Sequence, residues 1–165
     1  VTTSAERTGV TGTELRTFMR NWPTGAAIVT AARGPEPVGC TVNSFTSVSL
    51  HPPSLLVSLT HGSVTLAAIT ASGAFGVTVL GFGNRDLVGR FATACDRFAG
   101  LGLRWRDGVP LPDLGAAQAV CAVRQLVDVA DHTLVIGTPR FVGHHAAEPL
   151  VLFDARSHTL PRPRT

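Results

Sequence analysis

Gly39-Cys40-Thr41-Val42-Asn43-Ser44-Phe45-Thr46-Ser47-Val48-Ser49-Leu50-His51-Pro52-Pro53 packs six hydroxyl or amide side chains between apolar ones and ends at a double proline. A strand that only fills a core has no use for so many hydrogen-bonding groups. A strand leading into a loop that holds a phosphorylated, polar-edged ring does. Upstream, residues 26–32 (AAIVTAA) read as a strand, 33–36 as a turn and 38–44 as the next strand, which makes a hairpin with the first. Downstream, residues 54–60 (SLLVSLT) give a third strand.

Further out, Thr11-Gly12-Thr13-Glu14 matches a capping box, with Thr11 as cap and Glu14 at the third helical position. Leu15, Phe18, Met19 and Trp22 then recur on one helical face, and Pro23 stops the helix. Residues 63–71 read as a short helix with Leu66 and Ile69 on its buried side, and 74–80 as a fourth strand. Asn84 is the expected cap of a helix over 85–92, whose interior Gly89 weakens it. The Gly- and Pro-marked residues 98–114 read as loop with at most one short strand. Residues 119–129 and 133–142 give two long strands, and 150–153 a last one. Strands outnumber helices and do not alternate with them. That pattern excludes a doubly wound α/β fold and predicts a mainly β, antiparallel barrel with short peripheral helices. A single domain is expected over 11–160, with 1–10 as a flexible N-terminal tail and an exposed tail over 158–164.

At 165 residues the chain is the length of one domain, able to bury roughly 70% of its unfolded surface. Charged residues make up only 15%, against about 25% in an average soluble protein. Either the surface is rich in Gly, Ala, Ser and Thr, or part of it lies against another chain, most simply in a homodimer, the state expected here. The net charge of +3 is partly a tail effect of Arg156, Arg162 and Arg164, and no dense Lys/Arg run marks a nucleic-acid footprint. Cys40, Cys95 and Cys121 are isolated, without a C-x-x-C pair, which points to a reducing, cytoplasmic setting. The polar start is not a signal peptide, and no run of 18 apolar residues spans a membrane.

The dinucleotide fingerprint is absent. Gly81-Phe82-Gly83-Asn84-Arg85-Asp86 begins like G-x-G-x-x-G and fails at the third glycine. There is no Walker loop, nucleophile elbow or H-E-x-x-H helix. His144 and His145 are adjacent, a poor arrangement for shared metal ligation, so no metal is expected.

Trp22-Pro23-Thr24-Gly25 followed by Ala26-Ala27-Ile28-Val29-Thr30, the segment Gly39 to Pro53, Arg90-Phe91 after a short helix, Ala130-Asp131-His132 opening a strand that ends in Gly137, and Pro149-Leu150 before Phe153 together resemble the flavin-reductase-like domain family. Its members are the reductase components of two-component flavin-dependent monooxygenases. The match runs over residues 15–155 and is most specific from Gly39 to Pro53. Two departures stand out. Ala130 occupies the usual glycine position, a change expected to tighten the turn. The C-terminal motif lacks its tyrosines in a chain with no Tyr at all, leaving Phe153 or His158 to stand in.

The resemblance implies a split β-barrel of the FMN-binding type. It implies that Thr41, Val42, Asn43 and Ser44 contact the flavin edge and ribityl chain, where hydroxyl and amide groups match a mix of acceptors and a donor. Phe45 either flanks the ring or fills the core. Ser47, Val48 and Ser49 are expected on a loop whose hydroxyls and N–H groups wrap a phosphate, fixed by Pro52-Pro53. Pro23 and Thr24 fall at the ring-binding corner, or Pro23 is a plain helix stop. Arg90 is the expected phosphate contact and Arg85 the second choice, with Phe91 beside the cofactor or over the core. His132 falls near the nicotinamide side, or is simply a turn histidine paired with Asp131. Cys40 and Cys121 read as buried and inert.

The activity implied is NAD(P)H:flavin oxidoreduction, with hydride passing from NADH to FAD or FMN and the reduced flavin going to a separate monooxygenase. Roomy Gly- and Ala-rich loops, and Arg85 with Arg90 for two phosphates, favour FAD. The alternatives are another flavin-binding oxidoreductase, or a non-catalytic flavin-binding protein, on the same fold.

Overall fold

The computed structural model describes residues 9–161. Of the expected N-terminal tail only Gly9 and Val10 fall inside that span; at the other end residues 162–165 lie outside it. Helix α1 (Gly12–Met19) begins as the sequence predicts. The Thr11 hydroxyl accepts from the Glu14 N–H at 3.3 Å, while the Glu14 carboxylate accepts from the Thr11 N–H at 2.9 Å. Among the described residues, however, no other element covers its apolar face. Phe18 is 70% exposed and Trp22, just beyond the helix end, 65%, with Leu15 and Met19 also exposed.

Seven strands form one antiparallel sheet in the order β2-β1-β5-β8-β9-β4-β3. They are β1 (Ala27–Arg33), β2 (Glu36–Val42), β3 (Thr46–Leu50), β4 (Pro53–Thr60), β5 (Ala74–Val79), β8 (Ala117–Val129) and β9 (His132–His144). The expected β1–β2 hairpin closes at Arg33↔Glu36. Strand β1 is apolar from Ala27 to Ala32 but for Thr30, because both of its faces are covered along Ala27 to Ala31. Ala27, Val29 and Ala31 enter a core with Val57, Phe75, Val77 and Val135, while Ala26 and Ile28 face the other way, against Leu87, Phe91 and Leu150. Helix α2 (Val64–Ser72) closes the first core with Ile69, and partly buried Leu66 packs beside it, as expected. Its ends follow sequence rules: the Ser63 hydroxyl caps the start and Gly73, at φ 68°, ends it. Helix α3 (Asp86–Thr93) carries Leu87 and Phe91 into the second core. The fold is thus mainly β with short peripheral helices.

Three expectations change. Ser47 and Ser49 lie on strand β3, not on a loop. The polar run Thr46–Leu50 pairs with β4 along one edge and bulges between Ser47 and Ser49. Tertiary pairing overrides its turn-like composition, and Pro52 sits in the tight turn into β4. Asn84 does not cap α3. It belongs to a short 3-10 turn (Phe82–Asn84), and Arg85 occupies the cap position without a side-chain bond. Residues 98–114 contain a hairpin, β6 (Leu103–Arg106) with β7 (Val109–Pro112), turning at Asp107-Gly108, both at positive φ. It sends Val109 and Leu111 into a small core with Val120.

A second small hairpin, β10 (Val151–Phe153) with β11 (Arg156–His158), sits beside the α1–β1 connection through a Thr24↔Leu152 bridge. Among the described residues no helix is long and apolar enough to cross a membrane.

Candidate functional site

The link from β2 to β3, Asn43-Ser44-Phe45, separates two clefts and lines both. The first, about 450 Å³, is walled by Trp22, Pro23, Thr24, Asn43, Ser44 and Phe45. The second, about 560 Å³, holds Thr41, Asn43, Ser44, Thr60, Arg97 and His132. Val42 also borders the second, over its buried side chain. The structure therefore gathers Pro23, Thr24, Thr41, Val42, Asn43, Ser44, Phe45 and His132 around two clefts that share Asn43 and Ser44, drawn from residues more than a hundred positions apart.

The hydroxyls at this junction are already partly engaged. Thr41 Oγ1 donates to the Val88 carbonyl at 2.8 Å, tying β2 to α3. Ser44 Oγ donates to the Ser58 carbonyl at 2.9 Å and takes the Ser58 N–H at 3.3 Å, tying the link to β4. Each hydroxyl has one proton, so toward a ligand both can only accept. Asn43, exposed to both clefts, brings a carboxamide that donates and accepts.

The second cleft is electropositive by construction. Gly62, Ser63 and Val64 place the N-terminus of α2 along it, and that helix has no acidic residue in its first turn. Arg97 stands at its rim. Its Nε donates to the Ala94 carbonyl at 3.1 Å and its Nη1 to the Gly39 carbonyl at 2.6 Å. Among the described residues no Asp or Glu lines either cleft. Cys40 borders the second cleft, and burial pushes its thiol up, against smaller opposing effects of Thr65 and Arg97. Burial pushes the Cys121 thiol up to about 12. A protonated Cys40 is not a nucleophile at neutral pH.

His132 opens β9 next to the two-residue turn Ala130-Asp131, with Val129 as its cross-strand partner. Its Nδ1 lies 2.7 Å from Asp131 Oδ1, and that hydrogen bond holds the Asp131 carboxyl below its usual range.

The remaining predicted residues lie apart from both clefts. Ser47, Val48 and Ser49 are on the edge strand β3, where Ser49 Oγ accepts from the His51 N–H at 3.1 Å. Arg85 lies over the Phe82 ring at 4.6 Å and donates to the Phe82 carbonyl. Arg90 donates to the Ala99 carbonyl, and Phe91 is fully buried. Phe153 and His158 contact each other edge to face across the β10–β11 hairpin, outside both clefts.

Arg97, Ser58, Thr60, Gly62 and Ser63 went unread in the sequence. A signal for Arg97 existed, since Arg97-Phe98 repeats the Arg90-Phe91 dipeptide seven positions on. Thr60 to Ser63 were hidden because a strand end and helix cap look alike in any small domain.

Known proteins align with this arrangement. A probable flavin reductase of Rhizobium meliloti is 39% identical over 126 residues, 74% of this chain, although the chain spans only 40% of that longer protein. The NADPH flavin reductase of Lentzea aerocolonigenes is 41% identical over 135 residues, 78% of each chain. The NADH:FAD oxidoreductase of Streptomyces globisporus, solved with NAD and FAD fragments, superposes with a TM-score of 0.84 at 32% identity, covering 90% of this chain and 92% of that one. The model of the flavin reductase like domain matches residues 19–161, a span holding every strand and both clefts, and the chain belongs to that family.

Proposed function

We infer that the chain is an NAD(P)H-dependent flavin reductase that takes FAD or FMN, uses NADH as hydride donor and supplies reduced flavin to a separate monooxygenase. The observation that carries this reading is the pair of clefts that share Asn43 and Ser44, lined among the described residues by one carboxamide, several hydroxyls, one imidazole and one guanidinium and by no carboxylate. Such a donor set fits an anionic cofactor with a polar ring edge. A flavin held there would supply the redox chemistry, as the acceptor of a hydride from NADH. The chain supplies alignment and electrostatics. Asn43 meets the polar ring edge, Thr41 and Ser44 accept from it, and Pro23, Thr24 and Phe45 flank the ring. Arg97 and the α2 N-terminus hold phosphate. Arg90 acts one step back, bracing through Ala99 the loop that carries Arg97. His132 serves the nicotinamide side.

FAD is the preferred flavin. A third groove of about 710 Å³ continues from the second cleft through Val64 and Arg97, along Val38 and Phe98, and gives room for an adenosine arm. The sheet curls into a split barrel, a reading supported by the Ser44–Ser58 bonds that bring the β2 end onto β4. The protein works as a homodimer in which the partner completes the first cleft. The exposed Phe18, Met19 and Trp22 support this, because Trp22 is also a wall of that cleft.

Titration of apoprotein with FAD, followed by anaerobic NADH addition, tests the function. A yellow complex that NADH bleaches is expected, and a protein that binds neither flavin overturns the reading. FMN binding at least tenfold tighter than FAD, about 1.4 kcal/mol, rejects the flavin preference. A fully active monomer by sedimentation rejects the dimer.

A further inference from the structure

Two imidazoles and two carboxylates meet at the end of the β8–β9 hairpin, and the structure sorts them into pairs. Asp128 Oδ1 accepts from the Thr133 hydroxyl at 2.7 Å and lies 3.5 Å from His61 Nε2. Asp131 Oδ1 lies 2.7 Å from His132 Nδ1. Of the four, only His132 lines the second cleft. The backbone beneath the second pair is fixed from both sides. The His61 N–H donates to the Asp131 carbonyl at 2.9 Å, and His132 is in register with Thr60 on β4 and Val129 on β8.

A neutral imidazole has one donor and one acceptor nitrogen, and the partner of one decides the role of the other. An ionised carboxylate can only accept, so the nitrogen facing it must carry the proton. Asp131 is well suited to this, since its carboxyl is held below the usual range chiefly by the bond to His132. Asp128 does not compete, being engaged by Thr133 and His61.

We propose that Asp131 is a positioning residue that holds His132 in the Nδ1–H tautomer, leaving Nε2 as the nitrogen His132 offers to a ligand in the second cleft. In the neutral ring Nε2 is then an acceptor, matched to an amide N–H donor such as the carboxamide of a nicotinamide. Asp131 touches neither cleft and acts only through His132. The proposal rests on the assignment of His132 to the nicotinamide side, and it adds the residue that sets which way that histidine's hydrogen bond runs.

The tautomer is read directly, in ligand-free protein, from the ¹⁵N chemical shifts of the ring nitrogens. Wild type is expected to show Nδ1–H. Asp131→Ala should lose that signature, whereas Asp131→Asn should keep it, because its amide oxygen still accepts. In steady-state assays at saturating flavin, Asp131→Ala should raise KM for NADH about tenfold, the effect of one lost hydrogen bond near 1.4 kcal/mol. Asp131→Asn should stay within about threefold, and flavin Kd should not move in either variant. An Nε2–H wild type, or an Asp131→Ala spectrum identical to wild type, overturns the proposal. KM raised by His132→Ala but not by Asp131→Ala overturns it while leaving the cleft assignment standing. KM unmoved by both substitutions overturns the cleft assignment and the proposal together.

Discussion

The second cleft has two polar walls, built in opposite ways. On one, His132 is placed by backbone register, at the first position of β9 after a two-residue turn between strands of 13 residues each. On the other, Arg97 sits in the loop after α3 and is placed by its own side chain, through one bond to the Gly39 carbonyl of distant strand β2 and one to the Ala94 carbonyl three residues back. A side chain fixed by register keeps its place when one contact is lost. A side chain fixed by tertiary contacts depends on each of them. The two Arg-Phe pairs make the same point within one wall: Arg90 and Arg97 share a local sequence, yet only Arg97 reaches the cleft.

The loop wall rests on aromatic packing. Phe91 is fully buried, and its ring meets Phe98 edge to face with centroids 5.0 Å apart. Phe91→Ala should therefore cost about 3–5 kcal/mol of unfolding free energy. Phe98→Ala, at a partly buried position, should cost less globally while loosening the Arg97 loop. Denaturant unfolding of both variants measures the difference. Equal costs would break the picture of Phe91 as anchor and Phe98 as rider.

Next in size is the contrast between the arginines. Arg97→Ala should weaken flavin binding by about 1.5–3 kcal/mol, the range for a lost charge-assisted contact, with little change in reduction rate at saturating flavin. Arg90→Ala should weaken it by under about 1 kcal/mol, since the loop is also held by Arg97 itself and by the Ala99 N–H donating to Asp96 Oδ1 at 3.1 Å. Equilibrium titration with FAD separates them, and a larger loss at Arg90 would reverse the roles.

The same contrast explains what the sequence made readable. Strands β8 and β9, the β1–β2 hairpin and the α1 capping box follow from local periodicity and caps, and they fall within a few residues of expectation. The family resemblance, not periodicity, marks Thr41 to Phe45 and His132 as candidates, and a strand end and a tight turn place them along the clefts. Arg97 was hidden because its placement depends on the Gly39 carbonyl, which no local pattern brings near. Ser47 and Ser49 misled because Ser- and Thr-rich composition looks like a loop, while β4 supplies the pairing that makes it a strand. The apolar face of α1 was read correctly as a face, but nothing in the helix says what it packs against.

On the register-fixed wall, Ala130 sits at φ 53°, in the left-handed region where a Cβ is strained. Glycine relieves that strain but adds freedom to the unfolded chain. The first effect is the larger, so Ala130→Gly should stabilise the fold by about 0.5–1 kcal/mol. His132 should stay in place, held by its ladder to Val129 and Thr60. Thermal unfolding checks the sign. Destabilisation would mean the turn needs the stiffness of alanine.

The smallest effect expected is at Asp131 itself, and its sign follows from linkage. The carboxyl is held below its unfolded value, first by the hydrogen bond to His132, so the folded state binds the Asp131 proton less readily than the unfolded chain. The stabilisation is therefore fully present above the unfolded carboxylate value of about 3.9 and fades as pH falls through the lower folded value. Wild type should melt slightly above Asp131→Asn near neutral pH, and the two curves should converge on the acid side. Because the carboxylate is exposed, added salt should shrink the gap as well. Melting curves from pH 7 down to about 2.5, at low and high salt, give the comparison. A gap that widened as the carboxylate protonated would mean that Asp131 is a strained charge in the turn, and the register-fixed wall would then hold His132 without electrostatic help.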